Sequence, residues 1–329
     1  MEYPRAVRPV PVFFDPAVLQ HDTGLYHPDS ANRLEVAVDA LRQDGRLIAA
    51  PPAPERTLKA VERVHEPEYV QRLSALCKHA PADYGGPFAL FDCPDNVISA
   101  ATFEASLRSV SLTLAATDAV VAGHAASVFV AARPPGHHAL ASRAMGFCFL
   151  NSIAIAAKDL IEHHGVARVL VADFDVHHGN GVQDVFWDDG RVAYLSVHRY
   201  PFYPGTGAAD EKGEGRGRGT TVNVPLPAEA GDAAYAGGFA AALERLAERF
   251  RPEFVLVSAG FDAHAADPVG GMRVSTEGFS WMSRALLDVA DTFAGGRIVS
   301  LLEGGYHPEA TAAAIVEHVR VLARADDMI

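Results

Sequence analysis

The sequence predicts an α/β domain built on an open, mostly parallel β-sheet with helices on both faces. Three observations carry that. Short apolar runs such as Val169 to Ala172, Phe254 to Ser258 and Ile298 to Leu302 lack the polar–apolar alternation of a half-exposed strand, so they read as strands buried on both faces. Stretches with helical spacing lie between them, and a repeated β-then-α order argues for a parallel sheet. No Ser/Gly linker, charge block or internal repeat divides the 329 residues, so residues 1–329 read as a single catalytic domain.

Taken in order, Val10 to Phe14 reads as a short first strand, followed by a polar loop from Asp15 to Asn32. Arg33 to Gln43 carries Leu34, Ala37, Val38 and Leu41 at helical spacing. Thr57 to Val64 fits a strand or a short helix, and Pro67 opens a helix from Glu68 to His79. Ala80 to Asn96, rich in Pro, Gly and Asp, reads as one long loop. Helices are predicted over Thr102 to Gly123, Ser152 to His163, Val182 to Trp187, and roughly 233–250, 276–294 and 308–324. Ser127 to Ala132 and Val192 to Val197 complete the strands, and Pro201 to Gly219, with eight Gly or Pro residues, must be a loop.

Composition narrows the function. A hydrophobic content of 49% with 21% charged residues is typical of a globular, enzyme-sized core. The net charge of −13 argues against a nucleic-acid partner, which needs clustered Lys and Arg. Three cysteines without a C-x-x-C pair, a start lacking signal-peptide layout and the absence of a membrane-length apolar run point to a cytoplasmic protein with no membrane partner.

The functional signal is that five buried runs each end in reactive residues: His137 and His138, Asp173 to His177, Ser196 and His198, Asp262, and Tyr306. In an open parallel sheet that edge is where ligands bind. Side-chain alternation aims Asp173, Asp175 and His177 to one side of the chain. Asp175, His177 and Asp262 make a two-carboxylate, one-imidazole metal set with open positions. Zinc is the default ion, although the same donors accept Fe(II) or Co(II). His137 and His138 are placed to share general base and general acid roles, with Asp173 holding one imidazole and Asn180 the other. Tyr306, after Gly304-Gly305, has a phenol suited to a developing oxyanion. Phe147 and Tyr203 suit an apolar slot, and His178, His198 and His264 read as supporting or structural.

Six ordered motifs then resemble one family: Arg-Pro-Pro-Gly-His-His-Ala, Gly-Phe-Cys-Phe-Leu-Asn, Asp-Phe-Asp-Val-His-His-Gly-Asn-Gly, Ser-Val-His-Arg-Tyr, Ser-Ala-Gly-Phe-Asp-Ala-His and Leu-Glu-Gly-Gly-Tyr. Together they look like the zinc-dependent histone deacetylase superfamily, most similar to its class II branch and to bacterial histone deacetylase-like and acetylpolyamine amidohydrolases. The resemblance spans about residues 10 to 310. It implies the arginase/deacetylase fold and hydrolysis of an N-acyl amide, acetyl-lysine or an acetylated polyamine, to amine and carboxylate. By position it implies one zinc on Asp175, His177 and Asp262, a catalytic set of His137, His138, Tyr306, Asp173 and Asn180, and binding of hydroxamate inhibitors.

The resemblance further implies structural potassium held by Asp173, Ser196 and the backbone carbonyls of Asp175, His177 and Val197, with a second site at Phe186, Asp189 and Val192. Gly146, Phe147, Tyr203, Val269 and Gly304 would contact substrate, and Asp92 would grip its backbone at the rim, with Asp95 as the alternative. Asn180 stands where class I members carry aspartate, which fits class II. The short Pro201 to Gly207 loop lacks the long insertion of dimeric acetylpolyamine enzymes and favours an open pocket. An arginase-like ureohydrolase would need Asp-Ala-His-x-Asp and Ser-x-Asp-x-Asp patterns, which are absent. A non-catalytic acyl-lysine binder would be expected to have lost the tyrosine, a histidine or a metal ligand.

Overall fold

The computed structural model describes residues 10–49, 51–83 and 88–323. The reading of the first five residues as no signal peptide lies outside these, as does residue 324 of the last helix. In chain order the elements are β1 (Val12–Phe14), α1 (Ala31–Gln43), β2 (Leu47–Ala49), α2 (Thr57–Val61), α3 (Pro67–Asp83), β3 (Ala89–Phe91), β4 (Cys93–Ile98), α4 (Thr102–Val121), β5 (Ser127–Val130) and α5 (Ser152–Glu162). They continue with β6 (Val169–Asp173), α6 (Asn180–Val185), β7 (Val192–Arg199), β8 (Thr221–Leu226), α7 (Asp232–Tyr235), α8 (Ala241–Phe250), β9 (Phe254–Ala259), α9 (Thr276–Phe293), β10 (Ile298–Leu302) and α10 (Pro308–Leu322).

Eight strands form one sheet in the order β2-β1-β5-β10-β9-β6-β7-β8, and every neighbouring pair is parallel. All residues of β5, β6, β9 and β10 are buried, as their unbroken apolar runs require. One helical layer packs α1 on α10, α10 on α9 and α9 on α8; another packs α4 against α5, α2 and α3. Buried side chains from both layers and the sheet form one contiguous core. Local signals start the helices: Asn151 caps α5 by accepting from the Ala154 N–H at 3.1 Å, and Ser275 caps α9 through the Gly278 N–H at 3.1 Å.

Two expectations need correction. The stretch from Ala80 to Asn96 is not one loop, because α3 runs on to Asp83 and β3 and β4 pair as an antiparallel hairpin. Leu90 and Val97 stand opposite each other there, so the Pro- and Asp-rich composition hid a two-stranded ribbon with a register shift between Leu90 and Phe91. Thr57–Val61 settles as helix, and β2 and β8, the two edge strands, had no signal strong enough to read. The helix expected over 233–250 is split by a π-helical turn at Ala236–Ala240, where Gly238 lies against Val224.

Candidate metal centre and active site

Because the sheet is parallel, the segments after β5, β6, β9 and β10 all leave from the same edge, and the strand order places these four side by side. Asp175 and His177 follow β6, and Asp262 follows β9. Their ligand atoms lie within 4.8 Å of one another and all three residues are buried. His177 Nδ1 is 3.0 Å from Asp175 Oδ1 and 3.1 Å from Asp262 Oδ2. Donors about 2.0–2.1 Å from a tetrahedral zinc would stand about 3.3 Å apart, close to this spacing. Asp262 Oδ2 is buried without a hydrogen bond. Two dry carboxylates with one oxygen orphaned are costly unless a cation joins them. Burial, reinforced by the Asp175 charge, pushes the Asp262 carboxyl up to about 7.

The backbone leaves room for this cluster. A β-carbon at Gly260 or Gly304 would run into the carboxylates of Asp175 and Asp262, and the Gly304 N–H donates to Asp175 Oδ2 at 2.8 Å. Asp173 does not join the three ligands. The strand ends at Asp173, so alternation no longer governs the residues beyond it, and its carboxylate turns instead to His137. A second acidic group, Asp118, Asp159 and His164, is already neutralised by Arg56, and Arg63 also pairs with Asp159. It needs no ion.

The histidine pair sits on the turn after β5. His137 Nδ1 donates to Asp173 Oδ2 at 3.0 Å, and the Tyr194 hydroxyl donates to the same oxygen at 3.0 Å. His138 Nδ1 lies 2.8 Å from Asn180 Oδ1, so Nδ1 carries the proton and Nε2 keeps its lone pair. Burial opposes a charged His137, yet the carboxylates of Asp173 and Asp175 outweigh it and lift its pKa to about 10. Burial and the neighbouring His137 charge hold His138 well below the usual imidazole range. Two adjacent imidazoles are thus driven apart, one cationic and one neutral. Tyr306 is half-buried, its ring edge-on to Phe147 at 5.8 Å. Burial and the charges of Asp262 and Asp175 keep its phenol protonated, far above the ordinary tyrosine value.

The histone deacetylase domain family matches residues 27–322 of this chain. The chain belongs to that family. It is 40% identical over 282 residues to the histone deacetylase-like amidohydrolase of Pseudomonas aeruginosa, covering 85% of this chain and 71% of the relative. It is also 39% identical over 306 residues to the polyamine deacetylase HDAC10 of Homo sapiens, covering 88% of this chain and 44% of that protein. The crystal structure of the HDA15 HD domain superposes with a TM-score of 0.88 at 34% identity, covering 97% of this chain and 89% of that one. This histone deacetylase family member is therefore a hydrolytic deacetylase that cleaves an acyl amide in an acylated amine.

Around the deacetylase site, Phe147, held at φ 66°, packs edge-on against Tyr306, and the Tyr203 ring stands edge-on to His138 at 5.2 Å. Gly146 lies against His138, where a β-carbon would collide with the ring. Val269 is half-buried, its N–H held by Asp267 Oδ1 at 2.8 Å. At the rim, Asp92 is spoken for: its carboxylate pairs with Arg72 and accepts the Ala144 N–H at 2.8 Å. Asp95 instead meets the Tyr203 hydroxyl, and its carbonyl accepts from His27 Nε2 at 3.2 Å. Asp173 and Ser196 stand in register on β6 and β7. The carbonyls of Phe186 and Asp189 each accept a backbone N–H, from Asp189 and Val192, both at 3.2 Å. Among the described residues no helix is long and apolar enough to cross a membrane.

Three participants escaped the sequence reading. Glu303, fully buried at the end of β10, accepts the N–H groups of Gly136 at 2.7 Å and His137 at 3.1 Å and so fixes the histidine turn. Buried Arg33 lies 5.4 Å from the Tyr306 ring and is paired with Asp29 at 2.7 Å. Tyr194 shares Asp173 with His137. An acid ending an apolar run and an arginine within the apolar spacing of α1 were the available signals; Tyr194 left none.

Proposed function

We propose that Asp175, His177 and Asp262 hold one zinc ion and that His137, His138 and Tyr306 hydrolyse an acyl-lysine side chain beside it. The observation that carries this is the convergence of buried Asp262 Oδ2, which makes no hydrogen bond, to 3.1 Å from His177 Nδ1 in a cradle that Gly260 and Gly304 keep open. A zinc ion held there supplies a Lewis acid that polarises the acyl carbonyl and brings the pKa of a water near 7. His138, neutral and with Nε2 free, takes the proton from the attacking water and later delivers it to the departing amine. His137 stays cationic on Asp173 and offsets the negative charge that builds on the acyl carbon's oxygens. The Tyr306 hydroxyl donates a hydrogen bond to the former carbonyl oxygen. The products are a free amine and a carboxylate.

Phe147, Tyr203, Gly146, Val269 and Gly304 border the acyl chain in this reading. Asp95, rather than the occupied Asp92, is the rim carboxylate nearest the Tyr203 wall. Potassium ions at Asp173, Ser196 and the carbonyls of Asp175, His177 and Val197, and at Phe186, Asp189 and Val192, would brace β6 and β7 from below. The work is that of a cytoplasmic enzyme that hydroxamates inhibit. Acetylated polyamines are the second reading, supported by the similarity to a protein named polyamine deacetylase.

The test is turnover by the zinc-loaded protein on acetyl-lysine peptides against acetylputrescine and acetylspermidine, with a hydroxamate control. Preference for peptides supports the acyl-lysine reading, and preference for free acetylated amines replaces it. No hydroxamate-sensitive turnover on any of them removes the zinc assignment.

A further inference from the structure

Five large apolar side chains are conspicuously exposed among the described residues: Leu25 at 92%, Tyr26 at 98%, Ile48, Leu58 and Leu90 at 57%. Three of the five fall on two segments that meet at the rim of the site. The loop carrying Leu25 and Tyr26 continues into His27, whose ring packs edge-on against Phe147 at 4.6 Å. His27 Nδ1 accepts the Asp29 N–H at 3.1 Å, so Nε2 carries the proton and donates to the carbonyl of Asp95, on β4. Leu90 lies on β3, paired with β4; Phe88, just before β3, has its ring within 3.6 Å of where a Gly24 β-carbon would stand.

The loop is not loosely exposed. The Asp22 N–H donates to Ser99 Oγ at 3.1 Å, the Gly24 N–H to Asp22 Oδ1 at 2.9 Å, and Thr23 Oγ1 to the Asp29 carbonyl at 2.9 Å. Asp22 ties one side of the loop to the scaffold and His27 the other, two internal bonds close it, and two apolar side chains between them stand almost wholly in water. A backbone fixed in advance with its apolar groups presented is what a binding element needs, because little ordering entropy remains to be lost on contact.

We propose that Leu25, Tyr26, Phe88 and Leu90 form an apolar shelf beside the site that receives an apolar or aromatic side chain flanking the acyl-lysine of a polypeptide substrate. This rests on the acyl-lysine reading above. The shelf is continuous with the site through His27 and Phe147, which sets its occupant as part of the same substrate molecule. A free acetylated polyamine is cationic and strongly hydrated and gains nothing from such a surface. A peptide placing Leu or Phe there removes apolar area from water on both partners.

The experiment compares kcat/KM of the zinc-loaded full chain on three substrates: an acetyl-lysine peptide with Phe and Leu flanks, the same peptide with Gly and Ser flanks, and N-acetyl-lysine methylamide. The wild type is expected to favour the apolar-flanked peptide over the Gly/Ser peptide by about tenfold or more, seen in KM and not in kcat. In the double variant L25S/Y26S that ratio should collapse towards one, while L58S, which changes an exposed apolar residue on α2, should preserve it. Equal rates on the two peptides in the wild type, or a ratio that survives L25S/Y26S, overturns the shelf. Loss of the ratio in L58S as well would assign it to general surface hydrophobicity and also overturn it. A dimer that dissociates in L25S/Y26S, seen by sedimentation, would give the patch to a second copy of the chain. Turnover of the methylamide separates the two levels: if it proceeds while the peptides show no preference, only the shelf fails, whereas no turnover at all removes the acyl-lysine reading beneath it.

Discussion

Gly304 donates its backbone N–H to Asp175 Oδ2 at 2.8 Å, and a β-carbon on that glycine would stand 2.6 Å from the same oxygen. The glycine therefore holds the carboxylate and leaves space for it at once. Replacing Gly304 with Ala should push Asp175 and Asp262 out of convergence, lowering both bound zinc and turnover. Metal analysis of purified G304A checks this; full zinc content with wild-type rate would show that the cradle is not needed.

Tyr306 contributes a phenol and no ligand. Y306F should cut kcat by about 10²–10³-fold, the size of losing one donor to a developing oxyanion, while zinc content stays near that of the wild type. Unchanged turnover would remove the tyrosine from the mechanism.

Asn180 holds His138 through a neutral amide at 2.8 Å. In N180D a carboxylate would face the same imidazole and raise its pKa, since a nearby opposite charge favours the cation. The neutral base would then be populated only at higher pH. The rising limb of the pH–kcat/KM profile should move upward by about one unit or more. A profile that does not move would separate that limb from His138.

Glu303 tests the turn beneath the pair. E303Q keeps an oxygen for the N–H groups of Gly136 and His137 and should retain most of the stability. E303L would bury both donors unpaired, at a cost of about 2–6 kcal/mol, and should lower kcat as the histidines lose their register. Equal denaturation midpoints and rates for the two variants would contradict an anchoring role.

His318 lies in the core between Ser283 at 2.6 Å and Ser300 at 2.7 Å, and burial lowers its pKa to about 3. The folded pKa is below the unfolded one of about 6.5, so its contribution is whole above pH 6.5 and is lost as pH falls towards 3. Denaturant unfolding between pH 7 and 4 should show this residue adding a slope of about 1.4 kcal/mol per pH unit, absent in H318Q. An identical slope in the variant would mean that His318 does not titrate on unfolding.

The chemistry was legible in the chain because reactive residues interrupt apolar runs: Asp173 to His177 after Val169 to Ala172, Asp262 after Phe254 to Ser258, and Tyr306 after Ile298 to Leu302. Burial on both faces forces such runs to be strands, and the β-then-α order forces their ends to one edge. That much, with the family motifs, the sequence by itself determined. It grouped Asp175, His177 and Asp262 and gave Asp173 an imidazole to hold, but it could not set their geometry once the strands end. Beyond Asp173 the backbone is irregular, so period-two alternation fails, and only the packed structure assigns Asp173 to His137 and brings Asp262 to 3.1 Å from His177. The hairpin at β3 and β4, the pairing of Asp92 with Arg72 and the anchoring by Glu303 and Tyr194 were likewise decided there. Each depends on a partner distant in sequence, and spacing along one chain carries no record of such a partner.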